Sequence, residues 1–245
     1  MTAGNSLLNT VHQLMLEEFS TVPFHNLFYL GISAPDLLVN PLSSGGTCSD
    51  KVLAFRDRLK TQSIAARLHS AFINGVNCHR VLVLDLAGER YFADVGNAWP
   101  SVRLFPAAGD AVYSAYGIEF SSRRRGEWLE IYQRKEGRQS LSLRIPLTLS
   151  DEHLVLQKIK HRFDGATEYP FMDGIRFAQV LGDAFVFLKK DRLRIYQPHN
   201  EVVTIALPEW GDQVAALETY FGVTLADPAC ALSVRYTRAR SGRFI

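Results

Sequence analysis

The hydrophobic period of the chain changes near residue 63, and that change limits the folds open to it. Before it, Leu8, Val11, Leu14 and Met15 recur at three- and four-residue spacing, and Val52, Phe55 and Leu59 do so again, which is the pattern of amphipathic helices. From about Ile64 to Ile145 the pattern becomes short runs rich in Val, Leu, Phe and Tyr, broken by Asn74-Gly75, Ala87-Gly88 and Glu136-Gly137. Breaks of that kind join antiparallel neighbours, so this stretch reads as an antiparallel sheet or barrel. Ser150-Asp151-Glu152 reads as a helix start with Ser150 as the cap, and the helix is expected to run to about Phe163. After the loop containing Gly165, strand-like runs at 184–188, 192–196 and 202–207 lead to Pro208, read as the first-turn residue of a last helix that Gly222 ends. Val214, Leu217 and Phe221 share one face of that helix, which is expected to pack on the preceding strands.

Helices, then strands, then a smaller mixed segment describe an α+β protein rather than a doubly wound parallel sheet. Among 245 residues, 47% are hydrophobic and 21% charged, enough to bury a full core in one unit or in tightly packed subdomains. No stretch reaches the roughly 18 apolar residues a membrane span needs, and no basic segment followed by an apolar run opens the chain, so a cytoplasmic protein is expected. Cys48, Cys78 and Cys230 have no paired spacing and fit reduced thiols. A net charge of +2 gives no argument for nucleic acid. Arg123-Arg124-Arg125 and the tail residues Arg235, Arg238, Arg240 and Arg243 read first as solvated surface, and in a sharper reading as contacts to ligand phosphates. No Cys/His spacing suggests zinc, and there is no phosphate loop or dinucleotide fingerprint.

Ser44-Gly45-Gly46-Thr47-Cys48-Ser49-Asp50 places a cysteine behind a glycine pair at the start of a helix. Alone it would read as a small buried residue at a turn. A helix start, however, presents unpaired N–H groups that favour a thiolate and can hold a developing oxyanion. Residues 78–86 and 90–95 then read as two strands joined at Ala87-Gly88. With a two-residue turn, Leu86 faces Glu89, Val81 faces Asp94, and His79 lies diagonally beside Asp94 on the same face. A four-residue loop puts His79 directly opposite Asp94, whereas a three-residue loop without a bulge separates them. Either even loop gives a base, His79, and its orienter, Asp94, to activate Cys48. Cys78 points to the other face by alternation and reads as structural.

These residues resemble the arylamine N-acetyltransferase family. Val22-Pro23-Phe24-His25-Asn26-Leu27 is similar to its Pro-Phe-Glu-Asn segment, and Gly45-Gly46-Thr47-Cys48 to its Gly-Gly-Tyr-Cys segment. His79 and Asp94-Val95-Gly96 follow in the family's order, and residues 217–225 resemble its closing helix and Phe-Gly-Ile segment. The resemblance implies a helical bundle (1–62) carrying the nucleophile, a β-barrel (63–175) carrying His and Asp, and an α/β lid (176–245), with a cysteine-proteinase-like core. It implies catalytic Cys48, His79 and Asp94, with Phe24 and Asn97 in the substrate site. The implied reaction is ping-pong: acetyl-CoA or another acyl-CoA serves as co-substrate, an amine as acceptor, and no metal or permanently bound cofactor is used. Four positions depart from the family: His25 for Glu, Ser44 for Arg, Ser49 for an aromatic residue, and Asn97 for a Phe. Asn97 removes a stacking surface and implies a more polar acceptor.

Three other readings use the same residues. An amide synthase of natural-product biosynthesis would accept a carrier-bound acyl chain on Cys48. A transglutaminase-like amidase would take its acyl group from a peptide amide, although residues 217–225 fit the acetyltransferase pattern better. A non-catalytic scaffold would leave Cys48 with ordinary thiol reactivity.

Overall fold

The computed structural model describes residues 3–30, 32, 37–39, 45–162 and 174–225. Helix α1 (Ala3–Thr21) buries Val11, Met15 and Phe19 at four-residue spacing, so one stripe of it faces the core. A two-residue strand β1 (Phe24–His25), a 3-10 turn (Leu27–Leu30) and β2 (Leu37–Val39) lead to α2 (Cys48–Thr61). Helix α2 buries Cys48, Val52, Phe55 and Leu59 along one face. The same stripe that seats the helix therefore also seats Cys48.

Eight antiparallel strands follow: β3 (Arg67–Ile73), β4 (Val76–Leu86), β5 (Glu89–Ala93), β6 (Phe105–Pro106), β7 (Ala111–Ala115), β8 (Ile118–Arg125), β9 (Trp128–Lys135) and β10 (Arg138–Pro146). They form one sheet in the order β6-β5-β4-β3-β10-β9-β8-β7. Asn74, Ala87 and Glu136 take φ of 51°, 52° and 51°, each followed by a glycine of positive φ, the turn whose twist matches a two-residue hairpin. Tyr116-Gly117 forms another such turn, which the sequence reading had not singled out. The sheet curls into a nearly closed barrel. Its two edges meet through side chains, with the Phe105 and Tyr113 rings 5.9 Å apart and Ser101 Oγ 3.0 Å from the Tyr113 hydroxyl. Phe92, Phe105, Phe120 and Ile145 are fully buried in this core, each contributing roughly 1.5–3 kcal/mol of hydrophobic stabilisation.

Helix α3 (Glu152–Lys160) packs against β3. Its cap is Asp151, not Ser150: Asp151 Oδ1 accepts from the N–H groups of His153 (2.8 Å) and Leu154 (3.4 Å). Ser150 is occupied elsewhere. Its hydroxyl accepts from Ser70 N (3.2 Å), and its own N–H donates to Nδ1 of buried His69 (3.0 Å), whose Nε2 then donates to Pro146 O (2.7 Å). The described helix ends at Lys160, and the expected boundary at Phe163 and the loop at Gly165 lie outside the described residues.

Strands β11 (Arg176–Leu181), β12 (Ala184–Lys189), β13 (Arg192–Tyr196) and β14 (Val202–Ala206) form a second sheet. Its order is β1-β11-β12-β13-β14, so Phe24 and His25 from the N-terminal segment pair with Ala178 and Phe177. Helix α4 (Trp210–Phe221) is capped by Glu209, whose N–H donates to Asp212 (3.2 Å). Pro208 therefore stands ahead of the cap rather than in the first turn. Gly222 closes the helix at φ 66°, its N–H reaching Glu218 O at 3.0 Å. Leu217 and Phe221 bury against Phe177, Val186, Leu188 and Leu193, as their shared face predicts. Strand β15 (Thr224–Leu225) returns to pair with β2. The whole is α+β, and no helix among the described residues is long and apolar enough to cross a membrane.

Candidate active site

Cys48 is the first helical residue of α2, behind its cap Thr47. Asp50 fixes this helix start: its Oδ2 accepts from Thr47 N (3.0 Å) and Oγ1 (3.1 Å), and its Oδ1 accepts from Arg162 (2.7 Å). The approach needs both glycines. Gly45 and Gly46 have φ of 122° and 133°, and a Cβ on either would come within 2.7 Å of Pro23 O or 2.6 Å of Asp50 Oδ2. The loop is zipped to β1 by His25 N to Gly46 O (2.9 Å) and Gly46 N to Pro23 O (3.3 Å). Buried Lys51, in the first turn of α2, donates to Val22 O and lies 3.7 Å from buried Glu18.

The candidate base and its candidate orienter come from one hairpin. Leu86 pairs with Glu89 and Leu82 with Ala93, the two-residue register, so Asp94 falls just past β5 beside His79 on β4. His79 Nε2 is 2.6 Å from Asp94 Oδ1, and both side chains are buried. Asn97 Nδ2 donates to the other carboxylate oxygen (2.9 Å), while Asn97 Oδ1 accepts from Trp99 N (3.2 Å). Between them, Gly96 lets the hairpin end lie on the helix start: a Cβ there would be 2.8 Å from Cys48 Cβ and 2.9 Å from Cys48 Cα. The three residues singled out by sequence are thus brought together, with Nδ1 of His79 left for the thiol.

Burial alone would push the Cys48 thiol up, but the hydrogen bond and charge of His79, together with Arg80, bring it below its ordinary value. Burial alone would lower His79, and the Asp94 carboxylate overrides this and raises it. Both directions favour a thiolate–imidazolium pair. Cys78 also borders the site, but burial pushes its thiol up, so it stays neutral; its carbonyl oxygen lies 3.6 Å from Cys48 Sγ and can accept from it only while Cys48 is a thiol. Arg80 was missed by sequence reasoning. It is buried, it donates to His79 O (2.6 Å) and Asn77 Oδ1 (2.9 Å), and its only sequence signal is a cation inside an apolar strand.

The thiol opens on a cavity of about 310 Å³ whose lining includes Phe24, His79, Asn97, Trp99, Arg176 and Phe187. Phe24 and Asn97 therefore both border it, and Asn97 in addition holds Asp94. Arg123, Arg124 and Arg125 are exposed on β8, while Ser44, Cys230 and the tail arginines lie outside the described residues. Among the described residues no His/Cys/Asp/Glu group could hold a metal ion.

No family model matches the sequence, and no curated protein matches it. Solved structures do match. The arylamine N-acetyltransferase from Mycobacterium abscessus is 19% identical with a TM-score of 0.76, over 94% of this chain and 88% of that one. That of Mycobacterium marinum in complex with CoA is 19% identical with a TM-score of 0.75, over 96% and 94%. The Salmonella typhimurium enzyme is 16% identical with a TM-score of 0.71, over 94% and 92%. Across nearly its whole length, then, the chain has the fold of the arylamine N-acetyltransferases.

Proposed function

We propose that this protein is an N-acyltransferase that takes an acetyl or other acyl group from acyl-CoA onto Cys48 and passes it to an amine. The observation that carries this reading is the buried series in which Asp94 lies 2.6 Å from His79 and His79 draws the Cys48 thiol below its ordinary value. The Cys48 thiolate attacks the thioester carbonyl, forming a new C–S bond. First-turn N–H groups of α2 stabilise the oxyanion, and the CoA sulfur leaves with the proton carried by His79. The amine then attacks the enzyme thioester, His79 takes its proton, and Cys48 leaves as thiolate. Asp94 holds the imidazole tautomer and its charged form throughout. Arylamines are the acceptor class suggested by the fold likeness, and the free thiols Cys48 and Cys78 fit a reducing, cytoplasmic setting.

The test is initial-rate kinetics of CoA release with acetyl-CoA and a panel of amines. Parallel double-reciprocal lines are expected, because donor and acceptor never share the site. Intersecting lines would overturn the acyl-enzyme route, and no CoA release with any acyl-CoA would overturn the reading.

A further inference from the structure

Strand β4 buries a charge among apolar neighbours. Its residues 78–84 are buried without the usual alternation, because α2 packs on one face and the barrel core lies behind the other. Arg80 falls inside this run and is buried with it. Its Nη1 donates to Asn77 Oδ1 (2.9 Å) and to His79 O (2.6 Å), so one guanidinium bridges the backbone on either side of Cys78. That backbone is what Cys48 meets: Cys78 O lies 3.6 Å from Cys48 Sγ, and the His79 side chain leaves from the next residue.

Among the described residues no carboxylate pairs with this guanidinium, and its Nε has no hydrogen-bond partner. The other charged groups of the hairpin end and of the first turn of α2 are each answered. Asp94 is held by His79 and Asn97, Asp50 by Arg162, and Lys51 by Glu18. His25 and Cys78 are both kept neutral by burial. Arg176 and Lys189 border the same cavity from β11 and β12. A buried charge without an opposite charge costs stability, and sites that shift a titration are where such costs are found. The direction here fits, since the N–H of Arg80 and its charge both favour the Cys48 thiolate. Cys78 O acts the other way, because a carbonyl oxygen accepts from a thiol but repels a thiolate. The guanidinium offsets that repulsion and stays charged throughout the range in which His79 titrates.

We propose that Arg80 is a positioning residue of the site: it clamps residues 77–79 and supplies a fixed positive charge that keeps Cys48 a thiolate while His79 loses and regains its proton. The inference rests on the acyltransferase reading only for the reaction that the thiolate serves. Arg80 does not border the Cys48 cavity, so it acts through Cys48 and His79 and not on the substrate.

The experiment follows alkylation of Cys48 by iodoacetamide against pH, read by mass at the Cys48 peptide, in wild type, Arg80→Met and Arg80→Lys. In Arg80→Met the inflection is expected to rise by about one pH unit, the effect of one charge at roughly 10 Å and an effective dielectric of about 20. Arg80→Lys keeps the charge and loses the fork, and is expected to bring the inflection most of the way back. An Arg80→Met protein that is folded by thermal unfolding yet keeps the wild-type inflection overturns the proposal, because a purely structural residue would cost stability and leave the titration alone. An Arg80→Lys inflection no different from that of Arg80→Met overturns it as well. If Arg80→Met does not fold, Asn77→Asp decides: it retains the acceptor for Nη1 and sets a carboxylate against the guanidinium, so a raised inflection supports the proposal and an unmoved one overturns it. With acetyl-CoA at pH 7, kcat/KM should fall about tenfold in Arg80→Met, in step with the thiolate fraction, and an unchanged value would count against the role. If wild type transfers no acyl group from any acyl-CoA, the acyltransferase reading falls, and Arg80 is judged on the alkylation inflection alone.

Discussion

Gly96→Ala tests whether the hairpin end rests on Cys48 as closely as described. The new Cβ would lie 2.8 Å from Cys48 Cβ, 2.9 Å from Cys48 Cα and 3.0 Å from Cys48 O, where ordinary contact begins at 3.4 Å. Two of those atoms are backbone, so no rotamer change relieves them. The start of α2 must move from the hairpin by about 0.6 Å or more, carrying Cys48 away from His79. Overpacking of this kind costs about 1–3 kcal/mol, or a fall in Tm of roughly 2–12 °C for a chain of this size. A sub-ångström displacement of a nucleophile is worth up to about 100-fold in rate. The assays are thermal unfolding and the rate of Cys48 alkylation by iodoacetamide at pH 7. Gly211→Ala is the control: it adds the same methyl in the first turn of α4, where nothing lies within 4 Å, and should be neutral or stabilising. If Gly96→Ala behaves like Gly211→Ala in both assays, the contact between Gly96 and Cys48 is not as described.

The alkylation rate of wild-type Cys48 should rise with pH through an inflection below 9.0, and His79→Asn should move that inflection upward, because burial then acts without the imidazolium; an unmoved inflection would separate the two residues. Asn97→Ala removes a hydrogen bond to a buried carboxylate, so a stability loss of about 1.5–3 kcal/mol and a smaller upward shift of the Cys48 inflection are expected in denaturation and alkylation titrations. His25 is fully buried, has no hydrogen-bond partner on either ring nitrogen among the described residues, and is brought down to about 3 mainly by burial. Its neutral form is the folded one, so as pH falls below 6.5 the unfolded chain gains a proton that the folded one does not, a loss of about 3 kcal/mol at pH 4; His25→Phe should remove that component from urea unfolding measured between pH 7 and 4. Lys51→Met leaves buried Glu18 without its nearest ammonium, a loss of about 3–5 kcal/mol that Lys51→Met/Glu18→Leu should largely recover.

The parts of the site that depend on local parity could be read from sequence. Ala87-Gly88 fixes the hairpin register, and the register alone puts His79 and Asp94 on one face. The helix periodicity likewise puts Cys48 at the head of the stripe formed by Val52, Phe55 and Leu59. What depended on distant partners could not be read. Ser150 and Asp151 are both good caps, and the choice is decided by His69 and Ser70, which lie some eighty positions earlier and occupy Ser150. The addition of Phe24–His25 to the C-terminal sheet depends on β11, more than 150 residues away, and two residues carry no detectable strand pattern. Arg176, Lys189 and Arg192 read along the chain as separate charges, because only cross-strand pairing sets them in one row, and Arg80 reads as a lone cation inside an apolar strand whose burial beside His79 depends on the packed barrel.

The central claim is that Cys48 itself carries the acyl group. Intact-mass measurement after mixing the purified protein with acetyl-CoA, in parallel with Cys48→Ala and with CoA release followed in the same sample, tests it directly. The account predicts one acetyl group added to wild type, none to the variant, and loss of the adduct when an amine is added. An adduct that persists in Cys48→Ala, or neither adduct nor CoA release in wild type across a panel of acyl thioesters, would contradict it.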